Sequence, residues 1–428
     1  MDHHLNMQKS PTPNPEPSAP AAWIGLDWGH RTHAFALQDS AGRTEEGSLE
    51  HSPEALHTWL AQLAQRYGGR PVRLALEGKG GAALPALLQY PWLEIYPINP
   101  VTSARYRTAF TPSGASDDRP DARVLLELVR DHAAKLRPLE LQDDQTRHLN
   151  ALVQARRDLV DRRTQLLNQL TSLLQSYYPQ ALQLVDNLNT ELAVQFLSRW
   201  PELLSLKSAR PATIRACYYT HHVRRPELVQ ERLEHIAAAR ALSTEAAQVH
   251  VAVRQLRLFL DQLKAFRKHV ALFDEEIRRV FAAHPEAELF RDLPGAGAQM
   301  APRLCAAFGT VRALYPEPAA LQKLSGLAPV REKSGDRLWT HWRWLAPTFL
   351  RQTFVEWAGQ TVMYSAWAKT YYQRMEAQGK ARQVILRALA FKWIRVLWKC
   401  WHARTPYDEA RYLKQLAHRK SPYAVAQT

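Results

Sequence analysis

Asp27 closes a short apolar stretch, residues 23–28, and Glu77 follows another, residues 72–76, so both acids fall at the ends of expected strands. Farther on, Asp117, Asp118 and Asp121 open an expected helix. Asp118 and Asp121 are three apart and project from one face. Asp117 and Asp121, four apart, share a face equally well, so spacing alone leaves that choice open. Carboxylates drawn together in this way repel one another unless cations sit between them, and all-oxygen ligands suit Mg²⁺ or Mn²⁺. Two such ions roughly 3.5–4 Å apart can bind a scissile phosphate, acidify an attacking hydroxyl and stabilise the leaving oxygen. Taken singly, each acid is more often a turn residue or a helix cap. The order of strand-end Asp, strand-end Glu and helix-borne Asp-x-x-Asp is what favours a metal site.

A second group of residues invites phosphate chemistry. Gly326-Leu327-Ala328-Pro329 precedes Lys333-Ser334-Gly335-Asp336-Arg337, a turn-rich loop with a serine among cations. A serine hydroxyl attacks phosphate poorly near neutral pH without a metal or base, and Lys333 and Arg337 are placed to steady the phosphate. On chemistry alone, Ser-Gly in a loop is far more often just a turn. Leu293-Pro294-Gly295-Ala296-Gly297 resembles the glycine hairpin of helix–hairpin–helix modules, where the backbone around residues such as Gly295 and Gly297 cradles a DNA phosphate. A Pro-Gly turn between helices is as common. Arg343 lies between Trp342 and Trp344, a cation-and-aromatic pattern suited to nucleic acid. The later Trp357, Trp367, Trp393, Trp398 and Trp401 read mostly as helical core.

The elements that must position these residues follow from periodicity. After a Pro-, Ser- and Asn-rich start, expected to be a disordered tail over residues 1–20, strands are expected at 23–28, 33–38 and 44–49. A helix over 53–67, a strand over 72–76, a helix over 84–89, a strand over 93–98 and a helix entered at Pro120 follow. Three hairpin-linked strands, then helix, strand, helix, strand, helix is the order of a ribonuclease-H-like domain, an α/β mixed sheet with helices on its faces, spanning residues 21–138.

Residues 145–285 read differently. Leu149, Leu152, Leu159, Leu166, Leu170, Leu173 and Tyr177 step by threes and fours, and Val249, Val253, Leu256, Leu260 and Leu263 repeat the pattern. Such spacing predicts a coiled coil or a long antiparallel helix pair. Arg156 and Arg163 interrupt the seam and need acidic or solvent partners, which favours a dimerisation stalk over a hairpin within the chain. Between the two stretches, residues 179–226 suggest a small helical insert. A third, mainly helical region covers 290–407, and a basic tail is expected over 408–428.

Composition narrows the partners. Lysine and arginine total 56 against 41 acidic residues, for a net charge of +15. That excess repels itself unless a polyanion neutralises it, which points to nucleic acid; a basic but merely soluble protein is the bland alternative. The three cysteines, Cys217, Cys305 and Cys400, form no Cys-x-x-Cys pair, so a disulfide framework or structural zinc is not expected and a reducing cytoplasm fits. His3-His4 and His221-His222 lack metal-ligand spacing. No apolar run approaches the roughly 18 residues of a membrane helix, so no membrane association is expected.

With these residues assembled, the chain resembles the insertion sequence 110 family of transposases, the group that also contains the invertase Piv. The resemblance runs from Trp23 to Tyr407. It rests on Gly25-Leu26-Asp27, Leu76-Glu77-Gly78, Ser116-Asp117-Asp118-Arg119-Pro120-Asp121-Ala122, Leu293-Pro294-Gly295-Ala296-Gly297, and Gly326-Leu327-Ala328-Pro329 with Ser334-Gly335. Matched residue by residue, the family's carboxylate tetrad falls on Asp27, Glu77, Asp118 and Asp121, and its nucleophilic serine on Ser334. The resemblance implies a RuvC-like nuclease domain, a coiled-coil region and a C-terminal transposase domain. It further implies strand exchange through a phosphoserine on metal-activated Ser334, with double-stranded donor and target DNA specified by a structured noncoding bridge RNA. A bacterial cytoplasmic, nucleoid-associated homo-oligomer, a dimer or tetramer, is implied as well. Here residues 338–345 are tryptophan-rich where many relatives carry a basic, glycine-containing stretch. The rival readings are a RuvC-like metal-dependent junction nuclease and a non-enzymatic nucleic-acid-binding scaffold.

Overall fold

Strand β1 (Ala22–Trp28) is buried on both sides, so it must lie in the middle of a sheet covered by helices. The computed structural model, which describes residues 19–78, 83–110, 118–335, 337–341, 343 and 346–423, places it there. Almost all of the expected tail, with Asp117, Trp342 and Trp344, lies outside the described residues, as do the side chains of Asp118 and Ser334. The chain divides into two compact units, residues 1–141 and 142–428.

In the first unit β1 is followed by β2 (Thr32–Asp39), β3 (Thr44–Glu50), α1 (Pro53–Tyr67), β4 (Val72–Glu77), α2 (Ala83–Leu87), β5 (Leu93–Ile98), α3 (Pro100–Phe110) and α4 (Asp118–Asp131). The sheet order is β3-β2-β1-β4-β5, with β1, β2 and β3 antiparallel and β4 and β5 parallel to β1. This is the ribonuclease-H-like mixed sheet. Side chains alternate along a strand, so Ile24 and Leu26 of β1 and Leu74 and Leu76 of β4 point together into a core with Leu56, Trp59, Leu60 and Leu63 of α1. Ser52 caps α1 by accepting the Ala55 N–H at 3.1 Å, and Gly68 ends it in the left-handed conformation. Ala75 faces the other way, against Leu125, Leu128 and Val129 of α4. Helix α3 has no counterpart among the sequence expectations.

The second unit begins with α5 (Asp144–Tyr177), passes through α6 (Gln180–Val185), α7 (Glu191–Arg199), α8 (Leu203–Lys207), α9 (Pro211–Thr220) and α10 (Pro226–Ala238), and returns along α11 (Ala246–Ala282). Leu149 and Leu152 of α5 share a core with Ile277 and Phe281 of α11, while Leu166 and Leu170 share another with Leu256, Leu260 and Leu263. The two long helices are therefore an antiparallel pair within the chain, and the seam expected for a stalk is filled from within. The acidic partner that Arg156 demanded is Asp274 of α11, at 2.8 Å. Arg163 stays half-buried with burial lowering its pKa, helped by Arg156 and Arg267. On its outward side α11 keeps Val251, Leu258 and Leu272 exposed, at seven-residue multiples.

Helices α12 (Ala287–Arg291), α13 (Gly297–Phe308), α14 (Pro318–Leu324), the hairpin of β6 (Val330–Ser334) and β7 (Arg337–His341), and helices α15 (Thr348–Tyr364), α16 (Ala366–Ala377), α17 (Arg382–His402) and α18 (Glu409–His418) complete the unit. Trp357, Trp367, Trp393 and Trp401 are almost fully buried in one core that also takes in the α5/α11 ends, so the helical stretch and the C-terminal region are a single body. Their indole N–H groups are satisfied by Pro294 O, Tyr407 Oη, Thr361 Oγ1 and Gly309 O respectively. Much of the expected basic tail is helix α18, which lays Tyr412, Leu413 and Leu416 on that core.

Candidate active site

Leu26 of β1 stands opposite Leu76 of the parallel β4, so Asp27 and Glu77 are the next residues on two neighbouring strands, whose backbones in a sheet run about 4.8 Å apart. Trp23 and Ala75 pack on the α4 side, so alternation sends Asp27 and Glu77 to that same face. Helix α4 is pressed unusually close. A Cβ on Gly25 would lie 2.0 Å from the Ala122 carbonyl oxygen and 2.4 Å from the Leu126 nitrogen. Glycine in the Gly-Leu-Asp motif is thus a packing requirement. At the far end of α4, Arg130 hydrogen-bonds Gln38 at 2.7 Å, and Gln38 pairs with Trp23. The helix therefore runs against β1, and its first turn, with Asp118 and Asp121, ends near Asp27.

Helix α3 supplies residues that sequence reasoning missed. Ser103 is buried and donates its hydroxyl to Glu77 Oε1 at 2.6 Å. One turn on, Arg107 sets its guanidinium 2.8 Å from Asp121 Oδ1. The spacing of four puts both on one face of α3. Each thus holds one member of the expected tetrad, one by a hydroxyl and one by a positive charge. Pro100–Phe110 has too little apolar periodicity to advertise a helix, and no motif marks these residues. An all-oxygen set at strand ends has the character of a hard-cation site. Among the described residues, no three acidic, histidine or cysteine side chains are gathered closely enough to hold an ion. The guanidinium of Arg107 now supplies part of the countercharge.

In the second unit, Ser334 is the last residue of β6 and pairs with Arg337 at the start of β7. The stretch read as a loop is therefore a tight β-hairpin. Gly335 turns it with φ +59°, a conformation glycine adopts without steric cost. Lys333 and Arg337 are both exposed on this hairpin. Glu332 bridges its strands, accepting from Trp339 Nε1 at 3.0 Å and lying 2.7 Å from His341 Nε2, a contact that lowers its pKa. Arg343, beyond the hairpin, is half-buried, and its Nε finds no hydrogen-bond partner among the described residues. The Gly295 and Gly297 turn joins α12 to α13 with φ +68° and +51°. A Cβ at Gly295 would meet Gln360 and Tyr364 of α15 at 2.9 Å, so close packing requires glycine at this half-buried position, whereas Gly297 is exposed and a Cβ there would meet nothing.

An acidic sheet edge on a ribonuclease-H-like unit, followed by a helical unit, defines a class of nucleic-acid-processing proteins, and the comparisons narrow it to transposases. A family model described as Transposase matches residues 24–179, and one described as Transposase IS116/IS110/IS902 family matches residues 287–373. The "Mini-circle putative transposase for IS117" of Streptomyces coelicolor is 26% identical over 410 residues, 91% of this chain and 96% of its own length. An uncharacterized 42 kDa protein of insertion element IS900 from Mycobacterium paratuberculosis is 26% identical over 405 residues, 92% of this chain and 98% of its own. The "Putative transposase y4uE" of Sinorhizobium fredii is 28% identical over 207 residues, 47% of this chain and 57% of its own. The chain belongs to the insertion sequence 110 family of transposases. Membership makes it a DNA-cutting and recombining enzyme and suggests use of a divalent metal. Among the described residues no helix is long and apolar enough to cross a membrane.

Proposed function

We propose that this transposase exchanges DNA strands through Ser334, activated by Mg²⁺ or Mn²⁺ held by Asp27, Glu77, Asp118 and Asp121. The observation that carries the reading is the placement of Asp27 and Glu77 side by side at neighbouring strand ends, facing the helix that brings Asp118 and Asp121. When bound there, a divalent ion supplies Lewis acidity to the attacking hydroxyl and charge stabilisation to the leaving oxygen. The chain's own part is arranged around it. Ser334 Oγ loses its proton and bonds to phosphorus as the bond to a deoxyribose oxygen breaks, and that oxygen leaves with a proton. The hydroxyl of the new strand reverses the step and frees the serine. Lys333 and Arg337, exposed around Ser334, steady the phosphate. Arg343 and the backbone of the turn at Gly295 and Gly297 add contacts to nucleic acid.

Two further elements belong to the proposal. A structured RNA from the element guides the choice of donor and target DNA; the net charge of +15 supports a polyanionic partner of this kind. The protein works as a homo-oligomer, a dimer or tetramer, in the bacterial cytoplasm near the nucleoid. The exposed Val251, Leu258 and Leu272 on α11 repeat at multiples of seven, the period of a helix–helix seam between subunits.

The deciding experiment compares the wild type with Ser334→Ala and Asp27→Asn. The wild type, denatured in mid-reaction, should carry DNA on Ser334 that peptide mass spectrometry locates. Ser334→Ala should bind DNA without recombining it, and Asp27→Asn should leave no cut strand. Metal-dependent cutting that persists in Ser334→Ala, with water as nucleophile, would favour the junction nuclease. Absence of any metal-dependent cutting in the wild type would favour the scaffold. RNA that co-purifies from the native host should be enriched in transcript flanking the gene; random fragments would refute guidance.

A further inference from the structure

Helices α17 and α18 enclose a cleft of about 1080 Å³ whose walls carry six cations, Lys392, Arg395, Lys399, Arg411, Lys414 and Arg419, against the single carboxylate of Asp408. That carboxylate already caps α18, accepting the Arg411 backbone N–H at 3.0 Å. None of the six cations forms an ion pair among the described residues. On α17 the cations fall at Lys392, Arg395 and Lys399, in steps of three and four, and on α18 at Arg411 and Lys414, three apart, with Arg419 just past its end. Each wall therefore presents one charged stripe rising by about 5.4 Å per turn. Trp393, Leu397 and Trp401 fix the opposite side of α17 in the core, while Tyr412 and Leu416 tie α18 to that core and line the cleft beside the cations. Lys392 is further held 5.2 Å from the ring centres of both Tyr371 and Tyr423.

Like charges on two facing walls repel, and folding alone gives no reason to assemble them. A ligand with regularly spaced negative charges removes the repulsion. A single free anion would meet only a fraction of the stripe. We propose that the α17/α18 cleft is a phosphodiester-backbone site, gripping a nucleic-acid strand by its phosphates without reading its bases. The inference rests on the chain's being a transposase that handles nucleic acid, and it does not depend on the identity of the nucleophile or the metal.

The test uses the full chain without metal, so that binding is read apart from cutting. Arg395, Lys399, Arg411 and Lys414, all exposed, are changed together to Gln, and affinity is followed across salt concentration for a short duplex DNA and for a structured RNA. Each lost phosphate contact removes about 0.9 from the slope of log affinity against log salt on duplex DNA and about 0.7 on single strands. The fourfold variant should lose about three to four on the DNA arm, or about two to three on the RNA arm, with an unchanged circular dichroism spectrum. The arm that responds identifies which nucleic acid lies in the cleft. A control with Arg215, Arg254, Arg257 and Lys268 changed to Gln should keep the wild-type slope. Unchanged slopes in both arms overturn the proposal, and so does an equal fall in the control, which would make bulk charge the cause. An Asp27→Asn or Ser334→Ala protein that fails to recombine but keeps the full salt slope separates failure of the chemistry from failure of this site.

Discussion

Replacing Gly25 with alanine tests how the acidic site is built. A methyl group there would lie 2.0 Å from the Ala122 carbonyl oxygen and 2.4 Å from the Leu126 nitrogen, both backbone atoms of α4. Backbone cannot move aside by changing rotamer, so α4 must retreat by roughly 1 Å before the contact becomes tolerable. Overpacking of this kind costs about 1–3 kcal/mol. Against it stands a gain of about 0.5–1 kcal/mol, because alanine suits a strand interior better than glycine. The net expectation is a loss of about 1–2 kcal/mol, read as a lower urea midpoint with an unchanged slope. The catalytic effect should exceed the stability effect. Helix α4 carries Asp118 and Asp121 while Asp27 stays on β1, and a 1 Å misplacement can cost about 10²-fold in rate. Strand cleavage should therefore fall about a hundredfold under conditions where the variant remains folded. A Gly25→Ala protein as stable as the wild type, or folded and fully active, would refute the claim that close packing of α4 sets the carboxylates.

Two other expectations follow from single contacts. Arg107→Gln removes the guanidinium 2.8 Å from Asp121 Oδ1; with about 1 kcal/mol of competition gone, Mn²⁺ should bind about fivefold tighter by titration calorimetry, and weaker binding would make Arg107 an organiser of the site instead. Asp143 caps α5 and accepts from Thr146 and Thr310, and although burial pushes its carboxyl up, these bonds and nearby His284 outweigh it and hold it at about 2. A carboxyl with a depressed folded pKa contributes stability that is complete above its ordinary value of 3.8 and is lost as pH falls toward about 2. Buried His284, its pKa lowered by burial, adds a loss that starts below the ordinary histidine value of 6.5. Asp143→Ala should cost about 1–2 kcal/mol at neutral pH and flatten the acid limb between pH 4 and 2 in urea titrations; an unaltered limb would show that Asp143 does not govern it.

The sequence by itself determined most strands and helices of the first unit and the acids they carry. The short apolar stretches at 23–28 and 72–76 and the three-four spacing at Leu56, Trp59, Leu60 and Leu63 are local consequences of strand and helix geometry, so the sheet and α1 were legible. Asp27, Glu77 and the Asp-x-x-Asp of α4 were legible for the same reason, as was the family, through motifs in fixed order. Tertiary structure decided what lies between distant residues. It placed Ser103 and Arg107 on Glu77 and Asp121, from a helix with no apolar stripe to reveal it. It paired α5 with α11 inside one chain, because a leucine seam specifies that it will be covered but not by which helix. It also turned the serine loop into a hairpin, made much of the expected basic tail a docked helix, and made Gly25 a point of contact where sequence offers only a small residue. Periodicity is a property of neighbours along the chain, whereas partners, close approaches and facing charged walls exist only once segments far apart in sequence share the same space.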